Sequence, residues 1–482
     1  MFPGRELLTP AQMAGVDRSC GVPSLTLMEN AGQAAARIIA ARFSPRPVSV
    51  VCGPGNNGGD GLVIARLLHG QGWPVRVFLW GEAHCFAPDA EANAKRLPVA
   101  LEPLPEVIPG DLIIDAVLGA GLSRDFPADL AGRITTAGHP VIAIDVPSGL
   151  DGATGRVRGS AGAAALTITF ARKKPGHLLL PGRALCGEVV VADIGIPHAA
   201  IQAAGASLWE NGPPADEPLP ADTHKYKRGA VMVWSGGPLS TGAARLAAQA
   251  ALRGGAGLVT LAGPHQALAV HAAQVTAIML AEASTPLEMV REMRRKRITC
   301  AVLGPGAGVG PQTAALVEAV LDSAPAVVLD ADALSSFEHR LDVLAGFIAE
   351  RPERPVVLTP HEGEFKRLFK GLLESADSKY EAARRAAAAT GAHVVLKGAD
   401  TVIAAPDGRA VISANAPAKL ATAGSGDVLA GLIAAHTAAP HHHENDNIFK
   451  QICAAVWRHG EAASKFIPQT LTSEDLLAII AP

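Results

Sequence analysis

Short apolar runs, each closed by a glycine- or aspartate-bearing turn and followed by a helical pattern, recur along this 482-residue chain. That alternation constrains the fold more than any other feature. In the N-terminal part, Val48–Cys52, Val75–Trp80, Asp111–Gly119, Val141–Asp145, Leu166–Phe170 and Glu188–Asp193 are too short for isolated helices and rich in β-branched residues. They read as buried strands. Helical patterns such as Leu62–His69 and Asp89–Arg96 lie between them. The C-terminal part repeats the scheme with Ala230–Trp234, Leu258–Ala262, Cys300–Gly304, Ala326–Asp330, Pro355–Thr359, His393–Lys397 and Thr401–Ala405, interrupted by helices such as Ala243–Arg253 and Gln312–Ser323. Ahead of both, Thr9-Pro10 reads as an N-cap followed by proline at the first helical position, and Ser24 precedes an alanine-rich helical stretch through Arg42. The expectation is an α/β protein with mostly parallel, doubly wound sheets.

At ~150 residues per domain the chain is too long for one core. Its most polar, proline-rich break is Asn211–Thr223 (NGPPADEPLPADT), where four prolines disfavour helix and central strand. We therefore expect one domain over 1–212, a linker over 213–221 and a second domain over 222–482. Lys and Arg number 42 against 45 Asp and Glu, a formal charge of −3, which argues against nucleic-acid partners. Apolar stretches such as Val428–Ala435 fall far short of the ~20 residues of a membrane span. Met1–Pro10 has neither the basic start nor the apolar run of a secretory signal. The six cysteines are scattered without a CxxC, so neither a disulfide framework nor a zinc site is expected, and a cytoplasmic setting is.

The loudest signal of the first domain is Gly53-Pro54-Gly55-Asn56-Asn57-Gly58-Gly59-Asp60-Gly61, between a strand and a helix. Its glycines let the backbone approach a ligand, and the helix aims free amides at the loop. It is neither GxGxxG nor a Walker loop. A plain strained turn is the competing account, but strand carboxyl ends are where open α/β sheets bind ligands. Asp115 with Gly119–Asp125 (GAGLSRD) closes one further strand, and Asp145-Val146-Pro147-Ser148-Gly149 another. Oxygens of Asn57, Asp115 and Ser148 thus converge on one side of the sheet, a donor set suited to a hard cation; cap and anchor roles stand as even alternatives. Lys173-Lys174 either neutralises a substrate phosphate or forms an exposed loop pair.

In the second domain Gly424-Ser425-Gly426-Asp427 runs into an apolar helix, Val428–Ala439. The turn's free amides form an anion hole, and Asp427 can accept a proton from a substrate hydroxyl while a phosphoryl group is transferred. Ser425 and Asp427 are also capping types, yet two flanking glycines exceed what a cap needs. Lys397-Gly398-Ala399-Asp400-Thr401 reads as a nucleotide-binding turn or a simple hairpin. Gly304–Gly308, Asp330–Ala333 and Pro360–Glu364 end other strands. His441–Glu444 lacks spaced partner ligands and reads as a solvated insertion.

Leu27–Gly32, the GNNGGDG loop and Ala143–Gly155 (AIDVPSGLDGATG) resemble the YjeF N-terminal family, the NAD(P)H-hydrate epimerases. The likeness covers Met1–Gly212 and implies a Rossmann-like sheet. It also implies a potassium ion held at Asn57, Asp115 and Ser148. Substrate contacts would fall at Asn56, Asn57, Gly58, Gly59 and Asp60, at Gly119, Ala120, Gly121, Leu122, Ser123, Arg124 and Asp125, and at Asp145, which would stabilise charge or handle a proton. The GSGD turn, with His224–Gly229, Gly242–Val259, GPGAG, DADAL, TPHEGE and KGADT, is similar to the ribokinase-like ADP/ATP-dependent NAD(P)H-hydrate dehydratases over 222–482. This implies nucleotide contacts at Lys397, Gly398, Ala399, Asp400, Thr401 and Gly426, hydrate contacts at Ala243, Gly306, His361 and Asp427, with Asp427 catalytic, and Mg2+ arriving with ADP or ATP. Asn415–Leu420 departs from relatives that carry a glycine there. Together the resemblances imply a bifunctional repair enzyme acting on NADHX and NADPHX, with no nucleic-acid or membrane partner and a homo-oligomeric state. A ribokinase-like small-molecule kinase, or a first domain that only binds or scaffolds, is the alternative.

Overall fold

The computed structural model describes residues 2–122, 124–135, 138–215, 219, 221–439 and 445–480. The chain divides into two compact units between Trp209 and Glu210, slightly ahead of the expected 212. Asn211 shows why: its amide donates to the Ile412 carbonyl oxygen, and its side chain donates to Ser413 Oγ and the Cys453 carbonyl oxygen, all within the second unit. Of the expected linker, residues 216–218 and 220 lie outside the described residues.

The first unit is built on a parallel sheet in the order Leu101–Pro103, Val75–Leu79, Val48–Cys52, Leu112–Ala116, Val141–Ile144, Leu166–Phe170, Glu188–Ala192. Central strands are buried on both faces, as their mainly apolar and β-branched runs suit. Chain order reverses between Val48–Cys52 and Leu112–Ala116, which opens a crevice at their carboxyl ends. Helices Ser24–Arg42 and Asn56–Gly70 pack together beside it. Thr9 caps helix Pro10–Ser19 as expected, its hydroxyl accepting from Gln12 N–H while Gln12 Oε1 accepts from Thr9 N–H. Ser24 is instead the first helical residue, and Pro23 occupies the cap without a side-chain bond.

The second unit carries the strands Met279–Glu282, Leu258–Gly263, Ala230–Trp234, Cys300–Leu303, Val327–Leu329, Val356–Leu358 and His393–Leu396 in parallel, followed by Thr401–Ala404 and Ala410–Ser413 in antiparallel. Order again reverses beside the strand that opens the unit, between Ala230–Trp234 and Cys300–Leu303. Helix Ser425–Ala438 is buried along nearly its whole length and packs on helix Thr241–Arg253. Gly431 permits this contact, since a Cβ there would land on the Ala247 carbonyl oxygen. The helix starts at Ser425, three residues before the expected Val428, because Gly424 turns the chain with φ 83°. All six cysteines are free. Among the described residues no helix is long and apolar enough to cross a membrane.

Candidate active sites

At the first crevice the glycine loop is held by close backbone approach. A Cβ at Gly53 would land on the Val117 carbonyl oxygen, and one at Gly58 on that of Gly53. Helix Asn56–Gly70 therefore begins inside the loop. Asn57 lies in its first turn, and its Nδ2 is buried without a hydrogen-bond partner. Beside it, Gly119 faces both Asn57 and Asp145, where a Cβ would sit 3.4 Å from the Asn57 amide carbon and 3.2 Å from Asp145 Oδ2.

Asp115 and Ser148, expected together, are bonded to one another. Ser148 Oγ donates to Asp115 Oδ1 at 2.6 Å and Ser148 N–H to Oδ2 at 2.8 Å, while Ser148 Oγ accepts from Leu118 N–H at 2.9 Å. Burial pushes the Asp115 carboxyl up, against the lowering effect of the Ser148 bonds. Amide, carboxylate and hydroxyl are oxygen donors, and the Asn57 amide, whose Nδ2 has no partner, can present its oxygen by turning over, so these residues fit a hard cation. Among the described residues no three of His, Cys, Asp or Glu gather to hold a metal ion.

Asp145 ends its strand in the left-handed region, φ 67°. Its Oδ1 accepts from Lys174 Nζ at 2.6 Å and Thr169 Oγ1 at 3.0 Å, and its Oδ2 from Ala120 N–H at 2.9 Å. His177 Nδ1 accepts from Lys174 N–H, so its Nε2–H donates to the Asp145 carbonyl oxygen at 2.8 Å. Burial works to raise Asp145, but the Lys174 ammonium, the Ala120 N–H and His177 together outweigh it and hold the carboxyl at about 2. Burial pulls His177 down to about 4, which keeps it neutral. Asp60 is pushed well above the usual range by burial and then by Asp145 and Asp17. Of the 119–125 loop, Gly119 and Ala120 join this group. Gly121 is exposed, and the Leu122 carbonyl oxygen accepts from Arg158. Arg124 stacks over Trp80, and Asp125 Oδ1 lies 4.0 Å from Arg158 Nε. Ser123 lies outside the described residues. The exposed-pair account of Lys173-Lys174 fails for Lys174, which is buried at 3% exposure. Its only trace in the sequence is a lysine soon after a strand.

In the second unit the GSGD turn meets two other strand ends. Lys397 Nζ bonds Asp330 Oδ1 at 2.7 Å and lies 3.2 Å from where a Cβ of Gly426 would stand. Asp427, in the first turn of its helix, makes no cap bond and keeps part of its side chain open. Burial raises its carboxyl to about 7, assisted by Asp330 and opposed by Lys397. Ser425 does not cap either: it packs on buried His459, whose Nε2 is 3.0 Å from the Ser425 carbonyl oxygen.

Gly306 has φ 65°, accepts from Ser240 Oγ at 3.0 Å and lies against Ala243, where its Cβ would be 3.5 Å from that of Ala243. The other glycines of GPGAG have separate duties. Gly304 packs on the Asp330 backbone, and Gly308 N–H donates to Asp332 Oδ2. His361 caps helix Glu362–Leu368, its Nδ1 accepting from Gly363 and Glu364 N–H, and its Nε2 lies 3.4 Å from Glu364 Oε1. The KGADT turn is a hairpin closed by Thr401 Oγ1 donating to the Gly398 carbonyl oxygen at 2.7 Å. Lys379, absent from the sequence reading, braces it by bonding Asp400 Oδ1 at 2.6 Å. Lys397, Gly426 and Asp427 thus gather at one strand-end cluster, and Ala243 with Gly306 at a neighbouring one.

Residues 231–481 match the family described as NAD(P)H-hydrate dehydratase, and residues 24–176 the one described as YjeF-related protein N-terminus. The bifunctional NAD(P)H-hydrate repair enzyme of Moorella thermoacetica is 36% identical over 89% of this chain and 87% of its own length. This chain belongs to the bifunctional NAD(P)H-hydrate repair enzyme family. A member from Salinibacter ruber is 33% identical over 98% of this chain and 95% of its own. A solved structure from Bacillus subtilis, an ADP/ATP-dependent NAD(P)H-hydrate dehydratase co-crystallised with ATP/Mg2+, is 26% identical over 56% of this chain and 92% of its own, with a TM-score of 0.44. The expected α/β fold and the expected family membership both hold.

Proposed function

We propose that the repair is divided between the two units. The first interconverts the R and S hydrates of NADH or NADPH, and the second dehydrates the S form at the expense of ADP or ATP through a phosphorylated intermediate. In the second unit the Asp427 carboxylate takes the proton of the hydrate's hydroxyl as that oxygen bonds to the terminal phosphorus, while amides at the start of helix Ser425–Ala438 hold the phosphoryl oxygens. The nucleotide leaves with one phosphate fewer. Loss of a ring proton and departure of phosphate then restore the ring double bond. Lys397–Thr401 and Gly426 would grip the nucleotide, and Ala243, Gly306 and His361 the hydrate. Mg2+ would arrive on the nucleotide phosphates, neutralising their charge.

In the first unit the loop residues Asn56–Asp60, the loop Gly119–Asp125 and Asp145 would bind the hydrate. Asn57, Asp115 and Ser148 would hold K+, which supplies a fixed positive charge to the pocket. The observation that carries the reading is Asp427 itself: an acid at a helix start, beside a phosphate-seating turn, uncapped and partly open. Incubating S-hydrate with ADP or ATP should raise the reduced-nicotinamide absorbance in step with phosphate release. A stable phosphorylated product with no absorbance gain would identify a small-molecule kinase instead. We extend the reading to a homo-oligomer in the cytoplasm, the first testable by light scattering and the second by cell fractionation.

A further inference from the structure

The acid of the first site is presented asymmetrically. Asp145 Oδ1 already takes two donors, Lys174 Nζ at 2.6 Å and Thr169 Oγ1 at 3.0 Å. Asp145 Oδ2 takes only the Ala120 amide, and it is the oxygen that lies against Gly119 beside Asn57. The lysine is itself tied down: Nζ also donates to Thr169 Oγ1 at 2.8 Å, and its backbone N–H to His177 Nδ1. Lys174 exposes 4% of its side chain against 17% for Asp145. The ammonium cannot reach a ligand, whereas the carboxylate can.

We propose that Lys174 is a positioning residue of the epimerase: it saturates Asp145 Oδ1 from behind, so that Oδ2 alone meets the hydrate. The ring's C6 hydroxyl would then face a single, fixed acceptor oxygen, and Lys174 would act only through Asp145. A buried cation with one anionic partner also explains why Asp145 tolerates its left-handed backbone, since the Lys174–His177 turn binds the Asp145 side chain and carbonyl oxygen together.

This inference rests on the first unit being the epimerase, so full-length wild type is assayed first for conversion of R- to S-hydrate. No conversion there removes the site assignment; conversion by wild type leaves the Lys174 role to be tested alone. In Lys174→Met, kcat for epimerisation should fall at least ~10-fold with KM for the hydrate held within about threefold. Lys174→Arg, which restores the cation, should recover a substantial share of kcat. Dehydration of S-hydrate by the same preparations should stay at the wild-type rate. A wild-type kcat in Lys174→Met, or Arg performing no better than Met, overturns the proposal. Should Lys174→Met not fold, Thr169→Val removes the other Oδ1 donor and should lower kcat about threefold at constant KM; a wild-type kcat there overturns it equally.

Discussion

Asp145 and Asp427 are the same side chain set to opposite conditions by what stands beside each. Behind Asp145 a buried ammonium is bonded directly, so the charge is retained at about 2. Around Asp427 the nearest cation, Lys397, is already bonded to Asp330, and the neighbouring carboxylates add to the desolvation that lifts it to about 7. Asp427→Asn should lower dehydration at least ~10²-fold with epimerisation unchanged, measured on the two hydrates separately. Because the working form is the carboxylate and its titration is raised, the rate should be full above neutrality and fall as pH drops through about 7. A kcat/KM profile for dehydration flat from pH 5 to pH 8 would contradict this. Asp115→Ala, which removes the group bonded to Ser148, should weaken the potassium dependence of epimerisation. Strand-end position drew attention to Asp115, Asp145 and Ser148, and the two glycines at a helix start to Asp427. The burial of Lys174 and the whole of Lys379 escaped, because a lysine carries no mark of burial in sequence and each is bonded to a carboxylate on another element.

At the scale of elements, glycines decide where the two functional helices begin. Gly58 has no room for a methyl against the Gly53 carbonyl oxygen, so Gly58→Ala should push the GNNGGDG loop outward and abolish most epimerisation while sparing dehydration. Gly424 combines φ 83° with Leu246 and Ser473 in the space of a side chain. Gly424→Ala should cost the second unit about 1–2 kcal/mol, read by denaturant unfolding, and slow dehydration. Strand and helix alternation was legible wherever the apolar run was long and β-branched. The strands Leu101–Pro103 and Met279–Glu282 were not, since one contains proline, both carry glutamate and each lies at a sheet edge. Ala410–Ser413 follows a two-strand hairpin, where the parallel alternation had ended and gave no cue. The first turn of helix Ser425–Ala438 was equally hidden, because Gly-Ser-Gly-Asp reads locally as a turn, and the helix begins directly after Gly424.

For the whole molecule, the division at Trp209 and Glu210 should allow each proposed activity to be assayed by itself. Residues 1–209 should epimerise without dehydrating, and residues 210–482 should dehydrate S-hydrate and leave R-hydrate untouched. Mixing the fragments should restore turnover of both; a first fragment that binds hydrate without converting it would make that unit a scaffold. Two mostly parallel, doubly wound sheets were foreseeable from pattern, but not where strand order would reverse to open each crevice, because pairing between distant strands leaves no local signature. The contrast between the two aspartates then reaches beyond either catalytic step. In a mildly acidified compartment the first acid keeps its charge and the second loses it, so the epimers would go on equilibrating while their exit closes. Damaged coenzyme would accumulate as an interconverting stock, drained only when neutrality returns.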